Sequence, residues 1–226
     1  MADNQENVSN IEAGLTESYS KVEHYIVNNK KTVSYIGGGV LGLVLLVIAF
    51  FWWKGNREKE AQSKLFYAQQ LFEVDSFKLA LKGDGAHYGF LKVKDKYGMT
   101  KAANLCNYYI GVCYLKTGDA KKALDYLKSF STGDEVAQSQ AYSMIGDAYS
   151  ETGDMKAAID FYKKAADNLD NESLTPFYLI KAGMALEHEK NAKEAKEMYE
   201  KIKENYPNSQ AGRQVEAYIA RCEAQL

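Results

Sequence analysis

The stretch that decides the fold is Tyr109–Leu127, YIGVCYLKTGDAKKALDYL. Its apolar residues recur every three or four positions on both sides of Thr117-Gly118-Asp119, which predicts a helix, a tight corner and a second helix. Gly111 lies inside the first helix, where glycine costs about 1 kcal/mol relative to alanine. A glycine at this position therefore needs a packing reason, such as the close approach of another helix.

The same arrangement returns along the chain in steps of 35 to 37 residues. In each second helix an alanine is followed four positions later by a large apolar residue, and three positions after that by a further apolar residue. These sets are Ala86, Phe90 and Val93; Ala123, Leu127 and Phe130; Ala158, Tyr162 and Ala165; and Ala195, Tyr199 and Ile202. Gly111, Gly146 and Gly183 each precede the alanine of their set by 12 residues. The recurrence predicts stacked helix pairs, with each glycine at a contact between helices.

These residues resemble the tetratricopeptide repeat family, whose pattern is W-x2-L-G-x2-Y, then A-x3-F, then P. Asn107, Tyr142 and Leu179 stand at the tryptophan position. The resemblance implies an all-α fold, a right-handed superhelical array of about four helix pairs closed by a C-terminal capping helix. The expected divisions are a degenerate repeat at 67–100, repeats at 101–137, 138–172 and 173–209, and the capping helix at 210–226.

The segment Val33–Trp53, VSYIGGGVLGLVLLVIAFFWW, carries no charge over 21 residues. As a helix it is about 31 Å long, which matches the hydrocarbon core of a bilayer. Tyr35 and Trp52 are placed as interfacial anchors. A cleavable signal peptide has a shorter apolar core and ends in small residues. We therefore predict an uncleaved transmembrane anchor at 32–53, followed by a juxtamembrane helix at 54–66.

The residues around this segment leave several questions open. Three lysines precede it and four basic residues follow it closely, so the charge count does not decide its orientation. Gly38 and Gly42 form a G-x-x-x-G pattern, which predicts packing against another membrane helix. Residues 1–31 form either a short amphipathic helix at the membrane surface or a polar tail. The amphipathic alternative rests on Ile11, Leu15, Tyr19, Val22 and Ile26.

Composition and motifs argue against nucleic-acid binding, phosphate binding, metal binding and catalysis. The formal net charge is −2, and basic residues alternate with acidic ones, which argues against nucleic-acid binding. The glycines of KGDGAHYGF, 82–90, lack the spacing of a phosphate-binding loop and predict a connecting loop. Cys106, Cys113 and Cys222 lack metal-ligand spacing and are expected to be small buried side chains. We expect no enzymatic activity, catalytic residue, cofactor, metal or small-molecule substrate.

In the tetratricopeptide family, the first helices of successive repeats line the concave face. The corresponding positions predict a groove for a segment of another protein. They are Leu105, Tyr108 and Val112; Gln140, Ser143 and Asp147; and Phe177, Ile180 and Met184. The alternative is that these side chains pack between helices. The lysine and asparagine residues with which some relatives clamp a C-terminal carboxylate are not evident here, so a chaperone-tail clamp is not expected.

A narrower resemblance concerns the whole architecture. An acidic tail, one membrane helix and an array containing YYIGVCYLKTGDAKKALDYL and TPFYLIKAGMALE resemble the membrane-anchored ancillary subunit of the bacterial Sec translocon. This resemblance implies an inner-membrane protein with a cytoplasmic tail and periplasmic repeats. It also implies the translocon and a membrane-anchored periplasmic chaperone of the prolyl-isomerase type as partners. The alternatives are an envelope-assembly or cell-division tether, and a scaffold with the repeats facing the cytosol.

Overall fold

The computed structural model describes residue 20 and residues 23–226, and the chain divides after Gly55 into two compact units. The helices are α1 Lys30–Glu73, α2 Phe77–Lys82, α3 Phe90–Lys96, α4 Lys101–Lys116, α5 Ala120–Ser129, α6 Glu135–Thr152, α7 Met155–Asp167, α8 Leu174–His188, α9 Ala192–Asn205 and α10 Val215–Glu223. Among the described residues the only β-type pairing is an isolated bridge between Gly83 and Tyr88. The predicted all-α fold is confirmed.

The corners inside the first two complete helix pairs are built by glycine and aspartate together. Gly118 has a φ of 84°, a left-handed conformation that glycine adopts without steric cost. The next residue, Asp119, accepts a hydrogen bond from the backbone N–H of Lys122 at 3.2 Å and so caps α5. Gly153 and Asp154 repeat both features before α7. The Thr-Gly-Asp sequence is therefore a structural corner.

The three recurrent glycines lie where the two helices of each pair approach most closely. A Cβ added at Gly111 would lie 2.4 Å from Leu127 Cγ, one at Gly146 would lie 2.5 Å from Tyr162 Cε1, and one at Gly183 would lie 2.4 Å from Tyr199 Cε1. Cβ atoms essentially never approach a neighbour closer than 3.0 Å. The predicted packing role of these glycines is confirmed.

The helix pair before α4 departs from the pattern. Ala86 is exposed and precedes α3, so its assignment as the small residue of a second helix was wrong. Its neighbours Phe90 and Val93 are fully buried, as the pattern requires. Gly89 makes the close approach instead, because a Cβ there would lie 2.5 Å from the Leu81 carbonyl oxygen. The first pair is therefore held by backbone contact at its loop.

Asp84 organises this loop, which the sequence predicted to be a connection. Its carboxylate accepts hydrogen bonds from the backbone N–H groups of Ala86 at 3.0 Å and His87 at 2.7 Å. The Tyr67 hydroxyl donates to the same carboxylate at 2.9 Å. These donors lower the pKa of Asp84, His87 contributing most. The Asp84 carboxylate therefore satisfies the backbone N–H donors of this turn, which is a structural role.

The expected anchor, juxtamembrane helix and start of the degenerate repeat form one uninterrupted helix, α1. Its apolar window is long enough to cross a membrane, and the described protein buries none of it. A Cβ added at Gly38 or Gly42 would meet no atom within 4 Å, so no described residue packs against these glycines. The predicted amphipathic segment lies mostly outside the described residues. Within the described part of this segment, residues 23–28 are helical.

Candidate protein-binding surface

The nine predicted groove residues fall into different environments. Val112 and Ser143 are buried, with exposed fractions of 5% and 1%. Phe177 and Met184 of α8 are exposed, at 49% and 53%. Leu105, Tyr108, Asp147 and Ile180 are half-buried, and Gln140 is exposed. The large apolar side chains that remain open among these nine are thus concentrated on the third complete pair.

Val112 is covered because a further helix pair follows it. It belongs to the same apolar cluster as Ile145 and Ala148 of α6. Tyr108 packs against two other rings, with its ring centroid 5.6 Å from those of Tyr109 and Phe130. Burial raises the pKa of Tyr108 to about 12. Both side chains therefore serve packing, the alternative that the sequence left open.

Asp147 and Ser143 are engaged by the next repeat. The Lys181 ammonium lies 2.7 and 2.8 Å from the two Asp147 carboxylate oxygens and donates to the Ser143 hydroxyl at 3.2 Å. The Tyr162 hydroxyl donates to Asp147 at 2.7 Å. Asp147 thus joins its partner helix α7 to the following first helix, α8. We call this group of Asp147, Tyr162 and Lys181 the second-pair tie.

The third pair repeats this chemistry. The Tyr199 hydroxyl donates to the Glu187 carboxylate at 2.6 Å, and the Arg221 guanidinium donates two hydrogen bonds of 2.6 Å to the same carboxylate. Hydrogen bonds from Arg221 and Tyr199 lower the pKa of Glu187, the arginine contributing most. Both basic residues follow their carboxylate by 34 residues. We call this group of Glu187, Tyr199 and Arg221 the third-pair tie.

Burial also fixes the protonation of the two tyrosines. It raises the pKa of Tyr162 and of Tyr199, and the adjacent carboxylate raises each further. Both hydroxyls therefore remain protonated donors at neutral pH. In each tie the carboxylate accepts hydrogen bonds from the neutral tyrosine hydroxyl and from the basic side chain, so its polar groups are satisfied within the protein. Each network stabilises the register between successive helices.

The open surface is a groove between α8 and α10 with a volume of about 310 Å³. Phe177, Ile180 and Tyr218 supply its large apolar surface, and its remaining lining residues are Ser173, Gln210, Ala211 and Gln214. The sequence assigned α10 only a capping role and missed Tyr218 and Gln214. One more step of 37 residues from Phe177 leads to Gln214, so continuing the repeat would have pointed to this helix.

The cysteines fit a packing role. Cys106, Cys113 and Cys222 are buried and unbonded. Burial raises the pKa of Cys106 and Cys113 to about 12, so their thiols stay protonated and unreactive at neutral pH. In the described part of the chain no three histidine, cysteine, aspartate or glutamate side chains are grouped to hold a metal ion.

Models of known protein families match a segment of each of the three complete helix pairs. A tetratricopeptide repeat model matches residues 139–167, and a second one matches residues 106–132 and 178–209. These three segments are similar to tetratricopeptide repeats. Repeats of this kind commonly serve as protein-interaction scaffolds, and the exposed α8 surface is available for such a role.

A solved structure of nearly identical tetratricopeptide-like repeats from a Podosopora anserina kinesin light chain has the same fold. It superposes with a TM-score of 0.58 at 13% sequence identity, and the match covers 74% of this chain and 87% of that one. At this identity the likeness concerns the fold alone. A comparison with curated proteins gave no match.

Proposed function

We propose that this chain is a non-enzymatic, membrane-anchored adaptor that binds a segment of another protein in the groove between α8 and α10. The observation that carries the proposal is the exposed apolar surface of α8, where Phe177, which lines the groove, and Met184, seven residues further along the helix, are both about half exposed. Exposed apolar surface beside polar residues is typical of protein-binding sites.

The groove favours a short apolar segment. Phe177 and Tyr218 offer ring faces, while Gln210 and Gln214 offer amide donors and acceptors for a bound backbone. A volume of about 310 Å³ holds only a few side chains, so binding is expected to be weak by itself. Confinement of both partners to one membrane raises their effective concentration and compensates for this.

The length, apolar character and exposure of the first part of α1 support the proposed anchoring. The resemblance of the whole architecture to the ancillary subunit of the Sec translocon supports an inner-membrane location with periplasmic repeats. In this proposal the array holds a secreted or membrane protein, or a membrane-anchored prolyl-isomerase-type chaperone, close to the channel. Gly38 and Gly42, which meet no described residue, are available for packing against a membrane partner.

Photo-crosslinking in intact cells tests the proposed site. A crosslinker at Phe177 or Met184 is expected to capture a translocon subunit, the chaperone or an exported chain. A crosslinker at exposed Lys201 of α9 is the matched control and is expected to capture none of these. Equal capture from both positions, or no capture from α8 in cells that contain abundant protein, would contradict the proposal. Capture of septal or outer-membrane proteins would favour the tether.

The orientation is tested separately by protease added to spheroplasts. Periplasmic repeats predict that residues beyond about 60 are digested while a short membrane-protected fragment survives. Survival of the whole array in sealed spheroplasts, with digestion after detergent lysis, would place the repeats in the cytosol. That result would overturn both envelope functions and leave the third alternative.

A further inference from the structure

The loop between α3 and α4 lies beside the first residues that follow the apolar run. The Arg57 guanidinium donates a hydrogen bond to the Lys96 carbonyl oxygen. The Glu58 carboxylate accepts a hydrogen bond of 2.6 Å from the Lys101 backbone N–H. The fold therefore brings Lys96 and Lys101, which lie more than 40 residues beyond Trp53 in sequence, next to residues 57 and 58.

Chain connectivity limits how far this loop is from the end of the apolar run. Arg57 follows Trp53 by four residues, and four residues span at most about 14 Å even when fully extended. The polar headgroup region adds roughly 5–8 Å on each side of the hydrocarbon core. If the apolar run crosses a bilayer, as proposed above, the α3–α4 loop is within reach of the membrane surface.

The loop has the composition of a membrane-contacting surface. Met99 is 62% exposed and lies between Lys96 and Lys101 in sequence. An apolar tip flanked by ammonium groups can enter the interfacial region while its charges meet headgroup phosphates. In the described part of the chain the Lys101 ammonium makes no ion pair, and its backbone N–H is the group that Glu58 satisfies.

Two carboxylates of α1, those of Glu58 and Glu60, contact this loop, and Glu60 forms an ion pair with Lys96. Glu58 is engaged at the beginning of α4, where it also accepts from the Ala102 N–H at 3.1 Å. Glu60 accepts from the Tyr97 hydroxyl at 2.7 Å and lies 3.5 Å from the Lys96 ammonium. Both carboxylates thus fix the loop to α1, which holds Met99 and its flanking lysines in place.

Charge is also segregated along the sequence. Residues 54–101 contain ten basic and six acidic residues, a net charge of +4. Residues 102–226 contain fifteen basic and nineteen acidic residues, a net charge of −4. The positive part of the chain is therefore the part that immediately follows the apolar run. An anionic membrane surface attracts lysine and arginine side chains that lie close to it.

We propose that the α3–α4 loop docks on anionic phospholipid headgroups, with Met99 in the interfacial region and Lys96 and Lys101 against the phosphates. This inference rests on the proposed anchoring by α1. Docking would hold the first helix pair against the bilayer and restrict the directions in which the α8–α10 groove can face.

The test uses the full chain in vesicles and measures lysine acetylation rates by mass spectrometry. Three preparations are compared: pure phosphatidylcholine, phosphatidylcholine with 30% phosphatidylglycerol, and pure phosphatidylcholine with 10 mM inorganic phosphate. We expect Lys96 and Lys101 to be acetylated at least threefold more slowly with phosphatidylglycerol alone. Lys193 and Lys201, exposed on the acidic part of the array, are the internal controls and should keep their rates.

Each other result has a defined meaning. Equal rates in the first two preparations, or equal slowing of all four lysines, would overturn the proposed docking. Slowing by inorganic phosphate would indicate a free-phosphate site and also overturn it. Replacing Met99 by Ser should reduce the protection, whereas Val74→Ser, at another exposed apolar position, should not. Flotation with pure phosphatidylcholine vesicles tests anchoring independently, so failure of the anchor is distinguishable from failure of the loop.

Discussion

The first and second complete helix pairs share one geometry but differ in chemistry. In the α4–α5 pair, Gly111 makes room for the apolar side chain of Leu127. In the α6–α7 pair, Gly146 makes room for Tyr162, whose hydroxyl reaches Asp147. The second pair thus adds a carboxylate-centred network at its glycine contact, which the apolar Leu127 side chain of the first pair cannot form.

The difference shows what the repeat pattern specifies. The glycine and the large residue opposite it set how closely the helices pack. The second- and third-pair ties set how each pair is joined to the next helix, through a basic residue 34 positions beyond the carboxylate. The close glycine contact between helices is common to all three pairs. The carboxylate-centred ties occur in the second and third pairs, toward the proposed groove.

The largest expected effect comes from filling the close contact. Gly146→Leu places atoms where Tyr162 already lies, and the buried ring cannot move without breaking its bond to Asp147. We expect a loss of about 3 kcal/mol in the free energy of unfolding, measured by chemical denaturation of the detergent-solubilised chain. Gly133→Leu is the matched control, because that position has no atom within 4 Å. A Gly146→Leu variant that unfolds like the parent would contradict the assigned contact.

A smaller effect is expected from removing the second-pair tie. Asp147→Ala leaves the Tyr162 hydroxyl without its acceptor and Lys181 with only the Ser143 hydroxyl, which should cost about 2 kcal/mol. A double-mutant cycle with Lys181→Ala should give a coupling energy of about 1 kcal/mol. The exposed pair Asp119–Lys122 is the control, with a coupling indistinguishable from zero. Equal coupling in both cycles would show that the tie contributes no more than a surface ion pair.

The third-pair tie should make stability depend on pH. The pKa of Glu187 is lowered in the folded chain, so its contribution is complete above the unfolded value of about 4.3 and is lost as the pH falls through the folded pKa. Glu187→Gln should cost about 1 kcal/mol at pH 7, where a neutral hydrogen bond replaces a charged one. The difference from the parent should stay constant between about pH 5 and 7 and shrink below about pH 4.

Glu197→Gln provides the control for this measurement, because Glu197 is exposed on the neighbouring helix and belongs to neither tie. Its unfolding free energy should follow that of the parent at every pH. If the gap between Glu187→Gln and the parent were unchanged down to pH 3, the arginine–carboxylate contact would not carry the predicted linkage.

The sequence predicted the array because its signals are local and periodic. The spacing of Gly111, Gly146 and Gly183 and the Thr-Gly-Asp corners define the helix pairs without knowledge of distant contacts. The degenerate pair was harder, since Gly89 takes over the close approach through backbone geometry that no side-chain pattern encodes. The continuity of α1 was also missed: the helix continues through Gly55 and joins three segments that the sequence analysis had divided.

The candidate site was less predictable, because exposure depends on which helix covers each position. Val112 and Phe177 lie at first-helix positions that sequence treated alike, yet α6 covers Val112 while Phe177 stays half exposed. The ties were missed since Asp147 and Lys181 meet only when two repeats stack in a defined register. Tyr218 became part of the groove through the placement of α10.

The most direct test of the central claim is mild-detergent purification of three versions of the full chain, with quantitative identification of the copurifying proteins. The parent and the Val74→Ser control, altered at an exposed apolar position outside the groove, should retain the same translocon subunits or membrane-anchored chaperone. The amount of these partners that copurifies with the Phe177→Ser/Met184→Ser variant should fall at least tenfold, while circular dichroism shows that the variant keeps its fold. Full retention of these partners by the folded double variant would contradict the claim that the α8–α10 groove binds a protein partner.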